Sequence, residues 1–469
     1  MTPSVFAHPR AEGLAAPCPR AERHRAGRAL RERVPLEELG RFEPAADRRD
    51  PVAVLEAQAL ERVPSLVPVR HGRMLASPFG FFRGAAAVMA ADLAAQPSPG
   101  IRAQLCGDAH LSNFGLFAAL DRHTLFDIND FDETLLGPFE WDVKRLVASV
   151  AVAAATLGFD ASSGRAAAAG AAHAYRTFVS ELAEADTLDV WYSRVEFDSV
   201  IESLKKKGSA ACAAAEHAER AALKRTSLQA FEKLTAIIDG QRRIVADPPL
   251  VVPVEGEHGR LSEAMFELFE GYLGSLPAAA RKLASRYRVV DVAVKVCGVG
   301  SVGLRALILL LESGDGEPFF LQFKEARPSV LEDYLEPSEF SNAGQRVVEG
   351  QRLIQGSSDS FLGWSRGVVE DRSHDFYFRQ LRDHKGAVDP HSLHAAGLVD
   401  YARLCGRVLA RAHARSGDAA TVAGYLGKHD AFERAMGDFA MAYVAQNALD
   451  HRALIDAVDS GRLEARTGL

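Results

Sequence analysis

The chain has 469 residues, 48% of them hydrophobic and 25% charged, with a formal net charge of −7. That length and apolar content support two lobes or domains with large cores, and the acidic balance argues against a nucleic-acid partner. Five scattered cysteines without a CxxC pair give no disulfide framework and no zinc site. No apolar run nears the roughly 20 residues of a membrane span, and the N-terminus lacks a signal-peptide core. A cytoplasmic protein with no membrane partner is expected.

Residues 1–30, rich in Ala, Arg and Pro, are expected to lack stable structure. Short helices are expected at 52–62 and 84–95. Between 102 and 133, short apolar runs broken by Gly, Asp and Asn predict strands and loops. Helix follows over 139–185, split near Gly158–Gly164, then over 199–238 and 262–286. Three β-rich runs come next, Val289–Val296, Leu304–Glu312 and Phe319–Lys324, with a hairpin turn at Ser313–Gly316. A helix at 339–354, a strand at Phe376–Leu381 and helices from 394 to 456 complete the chain.

Four motifs carry chemistry. In Gly107-Asp108-Ala109-His110-Leu111-Ser112-Asn113, an Asp precedes an Asn by five positions in a loop. That is the spacing of a kinase catalytic loop, where the Asp accepts the proton of the attacking hydroxyl and the Asn holds Mg²⁺. A polar turn is the plain alternative. The second motif, Phe126-Asp127-Ile128-Asn129-Asp130-Phe131-Asp132-Glu133, concentrates oxygen ligands of the kind Mg²⁺ takes; alone it would read as a solvated acidic turn.

Gly298-Val299-Gly300-Ser301-Val302-Gly303 is a GxGxxG. A dinucleotide fold needs a helix directly after it, whereas Leu304–Leu311 reads as strand. Strand, glycines, strand is the arrangement of a phosphate-covering loop. Lys324 ends the strand after the hairpin, where a kinase places its phosphate-pairing lysine. Glu349 is the expected helical partner, with Glu339 as the alternative. Arg73 and Arg83 could clamp a phosphate or anchor the N-terminal segment; anchoring is the favoured reading.

GDAHLSN is similar to the GDxHxxN loop of aminoglycoside and choline kinases, and Asn129–Asp132 with Gly137-Pro138 and Trp141-Asp142 resembles their downstream acidic segment. The resemblance implies that Asp130 binds the metal and that Asp142 is a structural Asp on the following helix. The chain departs from the pattern at Cys106, where the kinases carry His. Over roughly 28–460 the chain also resembles bacterial domain-of-unknown-function family 2252, placed with kinase-like folds. Arg73-Met74, Ser77-Pro78-Phe79, Arg83-Gly84 and Gly344–Gln351 carry that likeness.

The expected fold is a two-lobed, protein-kinase-like α+β structure. Its parts are an unstructured 1–30, a helical large lobe at 31–284, a small antiparallel β lobe at 285–385, and helices at 386–469 that complete the large lobe. The glycine loop follows the catalytic loop by nearly two hundred positions, and 397–415 resembles the helix that normally leads into that loop. The order implies a circular permutation. The expected activity is ATP- and Mg²⁺-dependent phosphoryl transfer to a hydroxyl of an unknown acceptor. Asp108 acts as base. Asn113, Asp130 and Asp132 hold the metal, and Gly298, Gly300, Ser301, Gly303, Lys324 and Glu349 hold the nucleotide. Adenine would dock at Phe376–Lys385. A nucleotide-binding pseudokinase or an AMP-transferring enzyme is the alternative. A metallophosphoesterase lacks its further metal motifs here.

Overall fold

Among the described residues, five α-helices precede the first strand: α1 (Arg20–Arg33), α2 (Pro51–Ala59), α3 (Val67–Leu75), α4 (Pro78–Gly84) and α5 (Ala86–Ala94). The computed structural model describes residues 18–468 apart from 210, 225–226, 239, 255–262, 297, 301, 370, 382–385 and 387. The expectation of an unstructured 1–30 is therefore corrected over α1, while 1–17 lie outside the described residues. Tertiary contacts outweigh composition here. Gly27 sits so close to the Thr421 carbonyl that a Cβ would overlap it. Arg31 Nε donates to the Tyr425 carbonyl at 2.6 Å, and Arg20 Nη1 to the Glu184 carbonyl at 2.8 Å.

Next come four short strands, β1 (Arg102–Leu105), β2 (Phe114–Ala118), β3 (Thr124–Ile128) and β4 (Leu135–Pro138). β1 pairs antiparallel with β4, and β2 with β3. The loops between them carry the acidic motifs. Helices α6 (Phe139–Thr156) and α7 (Ala161–Glu184) follow, split by a turn as expected, and Asp160 caps α7 by accepting from Ser163 N at 2.7 Å. α6 is buried along nearly its whole length and runs through the largest core.

Helices α8 (Thr187–Tyr192), α9 (Phe197–Lys206), α10 (Cys212–Leu223) and α11 (Ser227–Leu234) lead into a hairpin of β5 (Thr235–Ile238) and β6 (Gln241–Ile244). The expected helix to 238 thus ends four residues early. Ile237 and Ile238 favour strand, and Gly240, at φ +73°, makes the turn. After β7 (Val251–Pro253), Pro277 breaks the expected 262–286 helix into α12 (Glu263–Ser275) and α13 (Ala278–Ala284).

The main sheet is built from β8 (Tyr287–Lys295), β9 (Ala306–Ser313) and β10 (Pro318–Ala326), then, after α14 (Ala343–Ile354), β11 (Gly363–Val369) and β12 (Arg372–Gln380). Its order is β11-β12-β10-β9-β8-β7 and its pairs are antiparallel. Both faces are covered, which explains the unbroken apolar run of β9. Leu309, Leu311, Leu321 and Phe323 pack with Leu268 and Tyr272 of α12, and Ile308, Leu310 and Phe320 pack with Ile244 and Leu381 on the other side. The strand β11 escaped the sequence reading because Gly363, Ser365, Arg366 and Gly367 dilute its apolar signal.

Helices α15 (Ala395–Ser416), α16 (Ala419–Leu426) and α17 (Ala431–Asp459) close the chain. α15 lies against α7, where Gly406 allows the Ala171 carbonyl to approach within the space a Cβ would fill. The end of α15 meets the start of β1: Gln104 N donates to Ser416 Oγ at 3.1 Å, and Gly417 lies against the Arg102 carbonyl. The chain is α+β, and no helix among the described residues is long and apolar enough to cross a membrane.

Candidate functional site

The loop after β1 is held from below by α6. Asp142 Oδ2 accepts from Cys106 N at 2.8 Å, and Oδ1 from Gly107 N at 3.0 Å. His413 of α15 adds a ring nitrogen at 3.3 Å from Oδ2, with Tyr175 OH at 2.8 Å from its other nitrogen. A histidine therefore reaches this loop from a distant helix, although the position before Gly107 is cysteine. Gly107 is required: its φ is +82°, and a Cβ there would overlap the Glu133 backbone. Asn113 Nδ2 donates to the Asp108 carbonyl at 2.7 Å, closing the loop and leaving the Asn Oδ1 for another ligand.

Asp108 is held by Arg145 of α6, Nε to Oδ1 at 2.8 Å, and the same guanidinium donates to the Phe82 carbonyl and lies 3.9 Å from the Phe82 ring centroid. Burial pushes the Asp108 carboxyl up to about 6, the nearby Asp130 charge adds to the rise, and Arg145 and Arg83 oppose it. His110 Nε2 stands 3.7 Å from Asp108 Oδ2, and burial drives this histidine far below its ordinary range, so it is neutral at pH 7.

Across the cleft, Lys324 of β10 is directly opposite Tyr377 of β12 in the sheet register. Its Nζ donates to Asp132 Oδ2 at 2.8 Å and lies 3.0 Å from Tyr377 OH, while Tyr377 OH donates to Asp132 Oδ1 at 2.6 Å. Burial alone would raise Asp132, but Lys324 and Tyr377 hold it below the usual carboxylate range. Burial would lower Lys324, yet Asp130 and Asp132 keep it well above its ordinary value. Lys324 and Asp132 stay ionised, and burial keeps Tyr377 a neutral donor.

Glu349 is not the partner of Lys324. It accepts from Arg352 on its own helix at 2.9 Å, because its position on α14 turns it from the cleft. The residue of α14 that reaches the cleft is Arg346, donating to the Thr134 carbonyl at 2.6 Å and to the Asp132 and Arg327 carbonyls at 2.8 and 2.7 Å. Asp127 also leaves the acidic group: it is buried and takes both bonds from Arg411 of α15, at 2.6 and 2.8 Å.

Asp108, Asn113, Asp130, Asp132, Gly298 and Gly300 line one cavity of about 100 Å³. That is below the ~300–1,000 Å³ of pockets for whole drug-sized ligands; it suits groups the size of a phosphoryl. The glycine loop is fixed over it by the N-terminal helices. Arg73 donates to the Gly298 carbonyl, Val63 N to the Gly303 carbonyl at 2.8 Å, and Arg62 Nη1 to the Val302 carbonyl at 2.5 Å. Gly298 and Gly303 take φ of +73° and +91°. Ser301 and Arg382–Lys385 lie outside the described residues. The loop is followed by strand β9 and not by a helix, which removes the dinucleotide reading.

No group of three or more His, Cys, Asp and Glu able to hold a metal occurs among the described residues. A site of one or two carboxylates completed by phosphates and waters, as Mg²⁺ uses, needs no such group. Asp130 with Asn113 Oδ1 fits that smaller donor set.

A family model described as an uncharacterized protein conserved in bacteria matches residues 62–457. The chain belongs to that family, DUF2252. The matched span contains both the acidic loops and the glycine loop, so all the cavity's lining residues except Gln58 fall within the DUF2252 region. No curated protein and no solved structure is significantly similar to the chain.

The sequence reading missed Arg145, Arg62, Arg70 and Tyr377 as cavity or cleft residues. Arg145 had a signal, since it is a charge directly before the largely apolar run Leu146–Ala155 of a helix. Tyr377 had another, because strand pairing with β10 would bring it opposite Lys324. Arg62 and Arg70 had none, lying in ordinary polar sequence.

Proposed function

We propose that this DUF2252 protein is an ATP- and Mg²⁺-dependent phosphotransferase that moves the γ-phosphoryl group to a hydroxyl of an acceptor. The observation that carries the reading is convergence. Asp108 and Asn113, Asp130 and Asp132, and the glycines 298 and 300 share one cavity, and Lys324 is bonded to Asp132 at its edge, across nearly two hundred positions of chain.

Topology supports the same reading. Strand, glycine turn, strand, hairpin, strand, helix and two strands is the order from β8 to β12. It resembles the small lobe of a protein kinase, with α14 in the place of its regulatory helix. The contact of Ser416 with Gln104 supports a circular permutation: a kinase in ordinary order would pass from the helix α15 into β1 at that junction.

In this reading Asp108 accepts the proton of the acceptor hydroxyl, and Arg145 keeps it ionised and oriented. Asn113 and Asp130 would hold the cation, which when bound neutralises phosphate charge. Lys324 is fixed by Asp132 and Tyr377 beside the phosphates, and the backbone of Gly298 and Gly300 covers them. The residues contribute position and charge rather than a covalent intermediate.

The test is the melting temperature of the protein with ATP, with and without Mg²⁺. ATP at 100 times its dissociation constant should stabilise the fold by about 2.7 kcal/mol, and only when Mg²⁺ is present. No metal-dependent shift at saturating ATP would contradict the proposal.

A further inference from the structure

The cavity wall supplied by residues 58–86 contains more positive charge than the phosphotransferase reading uses. Arg62, Arg70 on α3 and Arg83 on α4 all line it. Arg70 is 1% exposed; its Nη2 donates to Gln58 Oε1 at 3.0 Å and to the Gly84 carbonyl at 2.8 Å, while its Nε and Nη1 have no hydrogen-bond partner. The buried Nε atoms of Arg62 and Arg83 have none either. None of these three arginines forms an ion pair among the described residues. Three of the four cavity carboxylates are bonded to other groups, Asp108 to Arg145, Asp132 to Lys324, and Glu133 to Ser329 and Val330, and Asp130 is the one the proposed cation would take.

Burying three guanidinium groups that make no direct ion pair is costly. Burial lowers the pKa of each, Arg62 to about 10, and Arg62 and Arg327, like Arg70 and Arg62, repel one another. Structural arginines normally satisfy their nitrogens with carbonyls or carboxylates. These leave five-donor forks partly unused at the edge of a small cavity, which is the arrangement that binds phosphate or carboxylate oxygens.

We propose that Arg62, Arg70 and Arg83 form an oxyanion subsite for the acceptor, which is therefore an anionic hydroxyl compound such as a phosphorylated sugar or alcohol. The assignment to the acceptor rests on the phosphotransferase reading and on Arg83 of α4, which is near enough to influence Asp108; Arg62, between α2 and α3, carries the subsite on toward Asp132 and Glu133. With its oxyanion on these arginines, the acceptor presents its hydroxyl to Asp108.

Calorimetric titration of the full chain with inorganic phosphate, with Mg²⁺ and with or without a saturating non-hydrolysable ATP analogue, tests this. Phosphate should bind the wild type and should bind equally well to the analogue-loaded protein. Arg83→Gln should weaken it by about tenfold or more, the loss of one charge-assisted hydrogen bond, while melting as the wild type does; Arg62→Gln should weaken it too, with a lower melting temperature because it also frees the Val302 carbonyl of the glycine loop. Unchanged phosphate binding in both variants, or none in the wild type, overturns the subsite. Displacement of phosphate by the analogue overturns its assignment to the acceptor. Arginine-dependent phosphate binding in a protein that does not bind the analogue supports the subsite and removes the nucleotide reading instead.

Discussion

Lys324 and Asp132 stand 192 positions apart in the chain and 2.8 Å apart in the fold. Their bond crosses the cleft between the six-stranded sheet and the acidic loop, and Tyr377 completes it from the neighbouring strand. The pair ties strand β10 to the acidic loop that carries Asp130.

That pairing predicts energetic coupling. In a double-mutant cycle of Lys324→Met and Asp132→Asn, followed by urea unfolding, the interaction energy should fall within about 0.5–3 kcal/mol. Tyr377→Phe alone should cost only about 1 kcal/mol, one hydrogen bond. Additive effects of the two charge changes would show that the contact does not hold the sheet to the acidic loop.

In the proposed reaction the raised Asp108 carboxyl sets a pH limit on turnover. The base must be unprotonated, so ATP turnover with water as acceptor should fall as pH drops through about 6. Arg145→Gln removes a charge that lowers this value, and the acid limb of the profile should move up by about one unit or more. The stability contribution has the opposite sense. A folded-state value above the unfolded ~3.9 favours the folded chain at low pH, and that advantage is lost as pH rises from about 4 through about 6. A profile unchanged by Arg145→Gln would remove Asp108 from the base role.

Asp127 and Arg411 make a separate structural prediction. Both are buried, and Arg411 Nη2 also donates to the Ile354 carbonyl at 2.9 Å. Arg411→Met should cost about 3–5 kcal/mol in urea unfolding, because it strands a buried carboxylate. Arg411→Met with Asp127→Leu should recover much of that loss. A single variant as stable as the wild type would show that Asp127 is free to serve the cavity.

Much of this site is readable from sequence because its parts are short and local. The spacing of Asp108 and Asn113, the strand after Gly303 and the position of Lys324 each follow from a few neighbouring residues. Asp142, placed on the next helix by resemblance to the kinases, does hold the loop backbone. What was not legible depends on tertiary contacts. Glu349 and Arg346 are three positions apart on α14, and only the packing of that helix decides which one faces the cleft. Asp127 looks like its neighbours Asp130 and Asp132, yet strand β3 buries it toward α15. The helix α1 forms where composition suggests disorder because Gly27 and Arg31 dock on α16.

The most direct test of the account is to incubate the protein with Mg²⁺, a metabolite extract and ATP labelled on either the α- or the γ-phosphate. Label from the γ-position should move to a small, anionic product, and Asp108→Asn should abolish that transfer while keeping its affinity for ATP. Transfer of the α-label, or γ-label transfer that survives Asp108→Asn, would contradict it.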